Sequence, residues 1–294
     1  MELTMDRRVF LRDSSLMAAA LALLGRAEPV RAAEPMASIE LGELEVSRFV
    51  LGSNPFFGWA HQPGDAGQQM IDWYTDERIM ETMDVAAGLG VTTLATAPDA
   101  RFVDLWRRYR ERGGKLTVWL AQCHAQAEDI PAEIDRAVEA GAAACFIQGH
   151  RVEQQYEGGT FDTVREWIAR IHDHGLPAGM AAHIPTIHPE AQEKEFGADF
   201  YFQCLYNCAH GDDFADADRD TALQTIAGLD RPVVAYKLLA AGRNEPQPAI
   251  EYALERLRPT DGICVGIYTR HRPNELQEDV AYFQAAAGAP TAQA

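Results

Sequence analysis

Three histidines stand where short apolar runs give way to polar residues, in Gln122-Cys123-His124, Gln148-Gly149-His150 and at His183. Neutral imidazole can move a proton near neutral pH and is a common ligand for zinc and other divalent ions. If the three met at one opening, His124, His150 and His183 could hold a metal, or His124 and His150 could serve as acid and base. No tightly spaced motif such as His-Glu-x-x-His supports the metal, and Asp99 is the one carboxylate that falls in the neighbouring early segments. Hydrogen bonding to backbone or substrate without metal therefore stays open for His124 and His183. His172, His174, His188, His210 and His271 fall on helical or loop segments, where a solvated imidazole is the default.

Lys237 ends another apolar run and leads into Leu238-Leu239-Ala240-Ala241-Gly242-Arg243. An ammonium group is costly to bury unless paired or used, and desolvation in general favours the neutral amine that acts as a base or an imine-forming nucleophile. A structural ion pair is the competing explanation; the glycine-ended loop favours ligand contact. Tyr206 is a further candidate catalytic group. Asn54, His61, Gln122, Gln148, Gln203, Asn207, Tyr268 and Arg270 are candidate substrate contacts, since each lies at or just beyond the end of an apolar run.

The elements that must position these residues alternate. Strands are read at Ser47–Asn54, Val91–Ala97, Lys115–Gln122, Ala144–His150, Leu176–His183, Asp199–Tyr206, Pro232–Leu239 and Gly262–Tyr268. Helical periods separate them at Glu77–Leu89, Phe102–Arg112, Pro131–Ala140, Phe161–His174, Pro189–Phe196, Asp220–Leu229, Pro248–Leu257 and Asn274–Ala286. Glycines at 90, 141, 175 and 197 close helices before the next strand. Continuous apolar strands alternating with amphipathic helices imply a parallel sheet covered on its outer face, and eight such units close as a single (β/α)8 barrel. A doubly wound open sheet is the runner-up, although Gly52-Ser53-Asn54-Pro55 lacks the glycine-rich phosphate turn of a dinucleotide-binding sheet. Ser38–Ser47, with Gly42 between two alternating runs, reads as a β-hairpin capping the barrel's lower end. The barrel domain spans 38–287, and 288–294 reads as a disordered tail.

In this architecture catalytic groups sit where strands run out into loops, which is where the polar residues cluster. The formal net charge of −18 argues against nucleic acid and anionic lipid as partners. At the N-terminus, Asp6-Arg7-Arg8-Val9-Phe10-Leu11-Arg12 precedes an apolar run from Leu16 to Leu24, with small residues at Ala32 and Ala33. That pattern resembles a twin-arginine signal peptide over residues 1–33, which implies the twin-arginine export machinery as a partner, a periplasmic or extracellular location, and no stable membrane association after cleavage. Cys123, Cys145, Cys204 and Cys264 lie in apolar runs and read as buried thiols; Cys204 and Cys208 could form one local bridge.

The order of several short stretches resembles the aldo-keto reductase superfamily. Leu41-Gly42-Glu43-Leu44-Glu45-Val46-Ser47 with Leu51-Gly52 is similar to its hairpin and first strand. Gly90-Val91-Thr92-Thr93-Leu94 is similar to the second strand, Gln203 with Tyr206-Asn207 to the sixth, and Tyr236 to Gly242 to the phosphate-side loop after the seventh. Val265-Gly266 and Glu275 to Asp279 resemble the eighth strand and its helix. The resemblance implies a barrel binding NADP, with Gly242 and Arg243 as cofactor contacts. Of the family's Asp, Tyr, Lys and His set, His150 alone is matched: Ala95 and Gln122 occupy the aspartate and lysine positions, and no tyrosine follows strand two. Carbonyl reduction then lacks its usual proton donor.

Non-redox chemistry on a carbohydrate or related polar small molecule is the first reading, as a lyase, isomerase or hydrolase using His150, His124, His183, Lys237 and Tyr206. Trp59, Phe56, Phe57 and Trp73 would supply a lid or sugar platform, or loop core. An NADP-dependent oxidoreductase with a rebuilt proton relay is the second reading, and a non-catalytic binding protein the third.

Overall fold

The computed structural model describes residues 36–206 and 214–288. The proposed leader, Asn207, Cys208 and His210, and all of the expected tail beyond Gly288 lie outside the described residues. A two-stranded hairpin, β1 (Ser38–Leu41) and β2 (Leu44–Ser47), precedes eight parallel strands. These are β3 (Phe49–Gly52), β4 (Thr93–Thr96), β5 (Val118–Cys123), β6 (Ala144–Ile147), β7 (Ala178–Ala182), β8 (Phe200–Cys204), β9 (Val233–Tyr236) and β10 (Gly262–Gly266). They close in sequence order, with β10 beside β3, so the expected (β/α)8 barrel is formed. A ring of parallel strands leaves no edge, so every strand's polar backbone is paired on both sides.

Ten α-helices are described. They are α1 (Ala66–Trp73), α2 (Asp76–Gly88), α3 (Ala100–Glu111), α4 (Ile130–Glu139), α5 (Gly149–Glu157), α6 (Asp162–Asp173), α7 (Ile187–Glu193), α8 (Asp216–Ala227), α9 (Pro246–Leu254) and α10 (Glu275–Ala287). The start of α2 shows local chemistry at work: the Thr75 side chain accepts from the Arg78 amide, and Asp76 and Glu77 place negative charge on the first turn. At its other end Gly90 sits in the left-handed region at φ 85°, where a side chain would be strained.

Period-two alternation divides the core into two layers. Val50, Ala95, Leu120, Phe146, Ala181, Phe202 and Val234 pack inside the barrel, and Ile39, Leu41 and Val46 of the hairpin close the same cluster from below. The alternate residues, such as Leu51, Leu94, Trp119, Ile147 and Met180, pack outward against the helices.

Two helices have no counterpart in the sequence reading, for different reasons. Helix α1 buries none of its residues, so it carries no inward apolar stripe to detect. Helix α5 buries Gly149, Val152 and Glu153; the spacing is helical, but glycine and glutamate disguise the apolar period. Strand β6 consequently ends at Ile147, and His150 belongs to the first turn of α5 instead of a strand end. His188 also departs from expectation. It is fully buried, its ring Nε2 donates to the Phe202 carbonyl across 3.1 Å, and burial drives its pKa down to about 4.

Candidate functional site

A cavity of about 330 Å³ opens where the barrel strands end. Its floor is the stacked pair Phe146 and Phe202, with ring centroids 4.2 Å apart, and Gly52, Ala95, Ala181 and Gly266 keep the wall above it wide. Asn54, His61, Gln122, Lys237, Gly242 and Tyr268 line it, so six of the residues expected at the site meet there. Trp59 joins them; Phe56 and Trp73 do not. Phe56 is buried against Tyr74 at 4.7 Å, and the Trp73 indole donates to Thr269, which makes both of them loop core.

The strand-end amides need acceptors once the barrel ladder stops, and glutamates on neighbouring helices provide them. Glu133 on α4 accepts from the His124 and Ala125 amides at 2.6 and 2.7 Å. Glu153 on α5 accepts from the His183 amide at 2.5 Å and the Ile184 amide at 3.3 Å. Glu275 on α10 accepts from the Tyr268 amide at 2.7 Å. Their surroundings separate their charge states. Burial alone would raise Glu153, but the His183 ring and the two amides outweigh it and hold that carboxyl below the usual range. Glu275, which has less compensation, is raised by burial, and the neighbouring Asp279 is driven up to about 7, chiefly by burial and then by the Glu275 charge.

Glu153 also holds the His183 ring, with both carboxylate oxygens 3.1 Å from Nδ1. A proton on Nδ1 donated to the carboxylate leaves the Nε2 lone pair free to accept, and Nε2 stands 3.3 Å from the Lys237 amine. Gly149 permits this ring position: a Cβ there would meet Nδ1 at 3.1 Å and Cε1 at 3.2 Å. Lys237 itself sits at φ 58°, with Ala240, Ala241 and Gly242 also in the left-handed region. Non-glycine residues are strained there by about 1 kcal/mol each, and such strain persists where the surroundings hold it. The holding contacts are visible: Gln62 Nε2 donates to the Ala241 carbonyl at 2.6 Å, and Asn244 donates to the Tyr206 hydroxyl at 2.7 Å and the Leu238 carbonyl at 3.2 Å.

The remaining candidates are placed elsewhere. His124 lies at the rim against Trp59, 3.1 Å from Asp99, and that hydrogen bond raises its pKa despite partial burial. His150 is exposed on α5. Gln148 precedes α5 and does not line the cavity. Gln203 is buried one residue out of phase with Phe202, so it faces away from the interior. Tyr206 is buried beneath the β9 loop, and Arg270 reaches Gln69 on the surface. The expected meeting of His124, His150 and His183 is not formed: two are engaged by separate carboxylates, the third is exposed, and among the described residues no three His, Cys, Asp or Glu side chains could hold a metal ion. For a nicotinamide dinucleotide phosphate the expected contacts are split. Gly242 lines the cavity, whereas the Arg243 guanidinium is spent on the His61 and Ala240 carbonyls and the Phe214 ring, so it does not fit a phosphate contact as placed.

Glu153, Glu275 and Asp279 are the site-region carboxylates missed in the sequence. A signal existed for the first: a glutamate three residues after a strand-end histidine, on a segment otherwise too polar to pack. Among the described cysteines, Cys123, Cys145 and Cys204 are buried, and the partly buried Cys264 lies on the cavity wall. Burial drives the Cys264 thiol up to about 12, which keeps it protonated and unreactive.

The fold and the cavity at its strand ends define the chain as a hairpin-capped (β/α)8 barrel. A solved structure described as "Putative aldo-keto reductase from Pseudomona aeruginosa" is similar at a TM-score of 0.62, with 16% identity over 87% of this chain and 99% of that one. A second crystal structure of an aldo-keto reductase so described from the same organism gives a TM-score of 0.60 at the same identity and coverage. No family model and no curated protein matches the sequence.

Proposed function

We propose that the protein is an enzyme of non-redox acid–base chemistry on a polar small molecule, of the lyase or isomerase kind, working at the Glu153–His183–Lys237 chain. The observation that carries this reading is the chain itself: a buried carboxylate fixes the imidazole's tautomer, and the imidazole's second nitrogen faces an amine that lines the cavity. His183 takes or returns a proton, Glu153 stabilises the imidazolium that forms, and Lys237 binds or polarises the substrate's oxygen. Asn54, Gln122 and Tyr268 offer hydroxyl-binding partners above the phenylalanine floor, and Trp59 offers a ring face, which suits a carbohydrate or a similar hydroxylated molecule.

The aldo-keto reductase likeness supports the fold, while Ala95 and Gln122 line the cavity where the resemblance expects aspartate and lysine, which disfavours carbonyl reduction by the usual proton donor. We further infer export through the twin-arginine route from residues 1–33, a reading supported by sequence alone. A fusion of residues 1–33 to a reporter should lose export when Arg7 and Arg8 become lysines. The catalytic reading is tested by screening turnover of sugars and sugar acids with purified protein. Lys237→Met and His183→Asn should each abolish it with melting temperature retained, and full turnover in either variant would overturn the reading.

A further inference from the structure

Resting on the acid–base reading above, we propose that Lys237 condenses with its substrate's carbonyl carbon to form an imine, so that the substrate class is a hydroxylated aldehyde or ketone and His183 is the proton carrier of the condensation.

The chain's use of cations is the first argument. Of its 26 Lys and Arg residues only Lys115, Lys194 and Lys237 are lysine. Arginine cannot give up its proton in a protein, so a merely cationic contact would follow the chain's prevailing habit. Lysine is needed where a neutral amine has to attack carbon. The other two lysines do not resemble Lys237: Lys115 is exposed ahead of β5 at the opposite end of the barrel, and exposed Lys194 pairs with Glu190 at 2.7 Å. Lys237 is half-buried on the cavity wall and, among the described residues, has no carboxylate partner to hold it as ammonium. Its polar neighbour is the His183 Nε2 nitrogen at 3.3 Å, poised to accept a proton and not merely to balance charge.

The step balances without any outside oxidant or reductant. The Lys237 ammonium first passes one proton to His183 Nε2; the amine nitrogen then forms the C–N bond as the carbonyl π bond opens, and a second nitrogen-bound proton moves to the former carbonyl oxygen. The carbinolamine hydroxyl so formed takes the proton held on His183, the C–O bond breaks, and water leaves behind a cationic imine. The cation weakens the bonds to the adjacent carbon, and the His183 Nε2 so restored is the base within reach for a proton released there. Cys264, the other nucleophilic side chain on the wall, is kept protonated by burial and does not compete.

The test incubates the full protein with glyceraldehyde or dihydroxyacetone and sodium cyanoborohydride, which reduces an imine to a stable secondary amine, and maps adducts by peptide mass. Lys237 should carry at least about tenfold more adduct than Lys115 or Lys194, which serve as internal controls. In His183→Asn the Lys237 adduct should fall severalfold while the two controls stay constant. Labelling of Lys237 at or below the level of the other lysines would overturn the proposal, as would undiminished labelling in His183→Asn. If Lys237→Met abolishes turnover of a substrate found by screening and yet no Lys237 adduct forms, the imine fails while the acid–base reading stands.

Discussion

The two ends of the barrel solve the same problem, closing a ring of strands, with opposite economies. At the lower end the buried charges of Asp261 and Arg48 are matched. Asp261 is fully buried and accepts from the Val233 and Arg258 amides at 3.0 and 2.9 Å and from the Arg258 guanidinium at 2.8 and 2.9 Å. Arg48 donates to the Asp261 and Arg258 carbonyls, and the Ser47, Thr92 and Thr93 hydroxyls tie the hairpin to β4. At the upper end the backbone is held in left-handed turns, one buried carboxyl is raised to about 7, and an amine faces an imidazole. The lower end spends its polar groups on stability, and the upper end keeps groups that can still change partners or protonation state. In barrels of this kind that division marks which end does the chemistry.

The contrast breaks most visibly at Asp261. Asp261→Ala strands Arg48 and Arg258 without their buried counter-charge and should cost on the order of 3–5 kcal/mol in chemical denaturation. Its remaining folded fraction should show unaltered turnover per molecule. A comparable loss of turnover with no loss of stability would reverse the roles assigned to the two ends.

Asp279 offers the next largest effect, with a sign that follows from protonation. Its folded pKa of about 7 lies above the ordinary 3.8, so the native protein keeps a proton that the unfolded chain releases. The stability this group contributes is complete in acid, below about pH 4, and is lost as pH rises through 7. Asp279→Asn should therefore raise the melting temperature at pH 8 and change it little at pH 4. Equal shifts at both pH values would show that burial does not hold this carboxyl neutral.

Glu153→Gln sharpens the comparison from the other side. The amide can still accept from the His183 and Ile184 amides but no longer stabilises an imidazolium, so turnover should fall about 10- to 100-fold with a smaller effect on stability. Smallest is the backbone effect at Lys237: Lys237→Gly should abolish activity while stabilising the fold by up to about 1 kcal/mol, because glycine adopts φ 58° without strain. A destabilised Lys237→Gly would mean that the side chain, and not the site's function, holds the loop in place.

Much of the fold could be read directly from the residues. The alternation of apolar strands with glycine-closed helices led to eight strands and the capping hairpin, because both patterns follow from burying one face of each element. The cavity wall was legible where a polar residue interrupts an inward-facing phase, as at Gln122, or follows a strand end, as at Asn54 and Lys237. Gln203 misled because polar type was visible in sequence but strand phase was not. His150 misled because Gln148-Gly149-His150 looks like a strand running on, whereas the turn at Gln148 starts a helix whose buried face is Gly149, Val152 and Glu153. That same disguise hid Glu153, the residue that orients His183. Pairings such as Glu153 with His183, 30 positions apart, depend on how a helix folds back over a strand end, which no local pattern records.

Competitive acetylation of the three lysines, with limiting reagent near neutral pH and each site quantified by mass, reads the Glu153–His183–Lys237 chain without needing a substrate. Lys237 should react faster than exposed Lys115 and Lys194 in the native protein, and that advantage should vanish in Glu153→Gln. If half-buried Lys237 reacts more slowly than both, or keeps its rate when Glu153 is replaced, the imidazole does not activate the amine and the site's assigned chemistry is wrong.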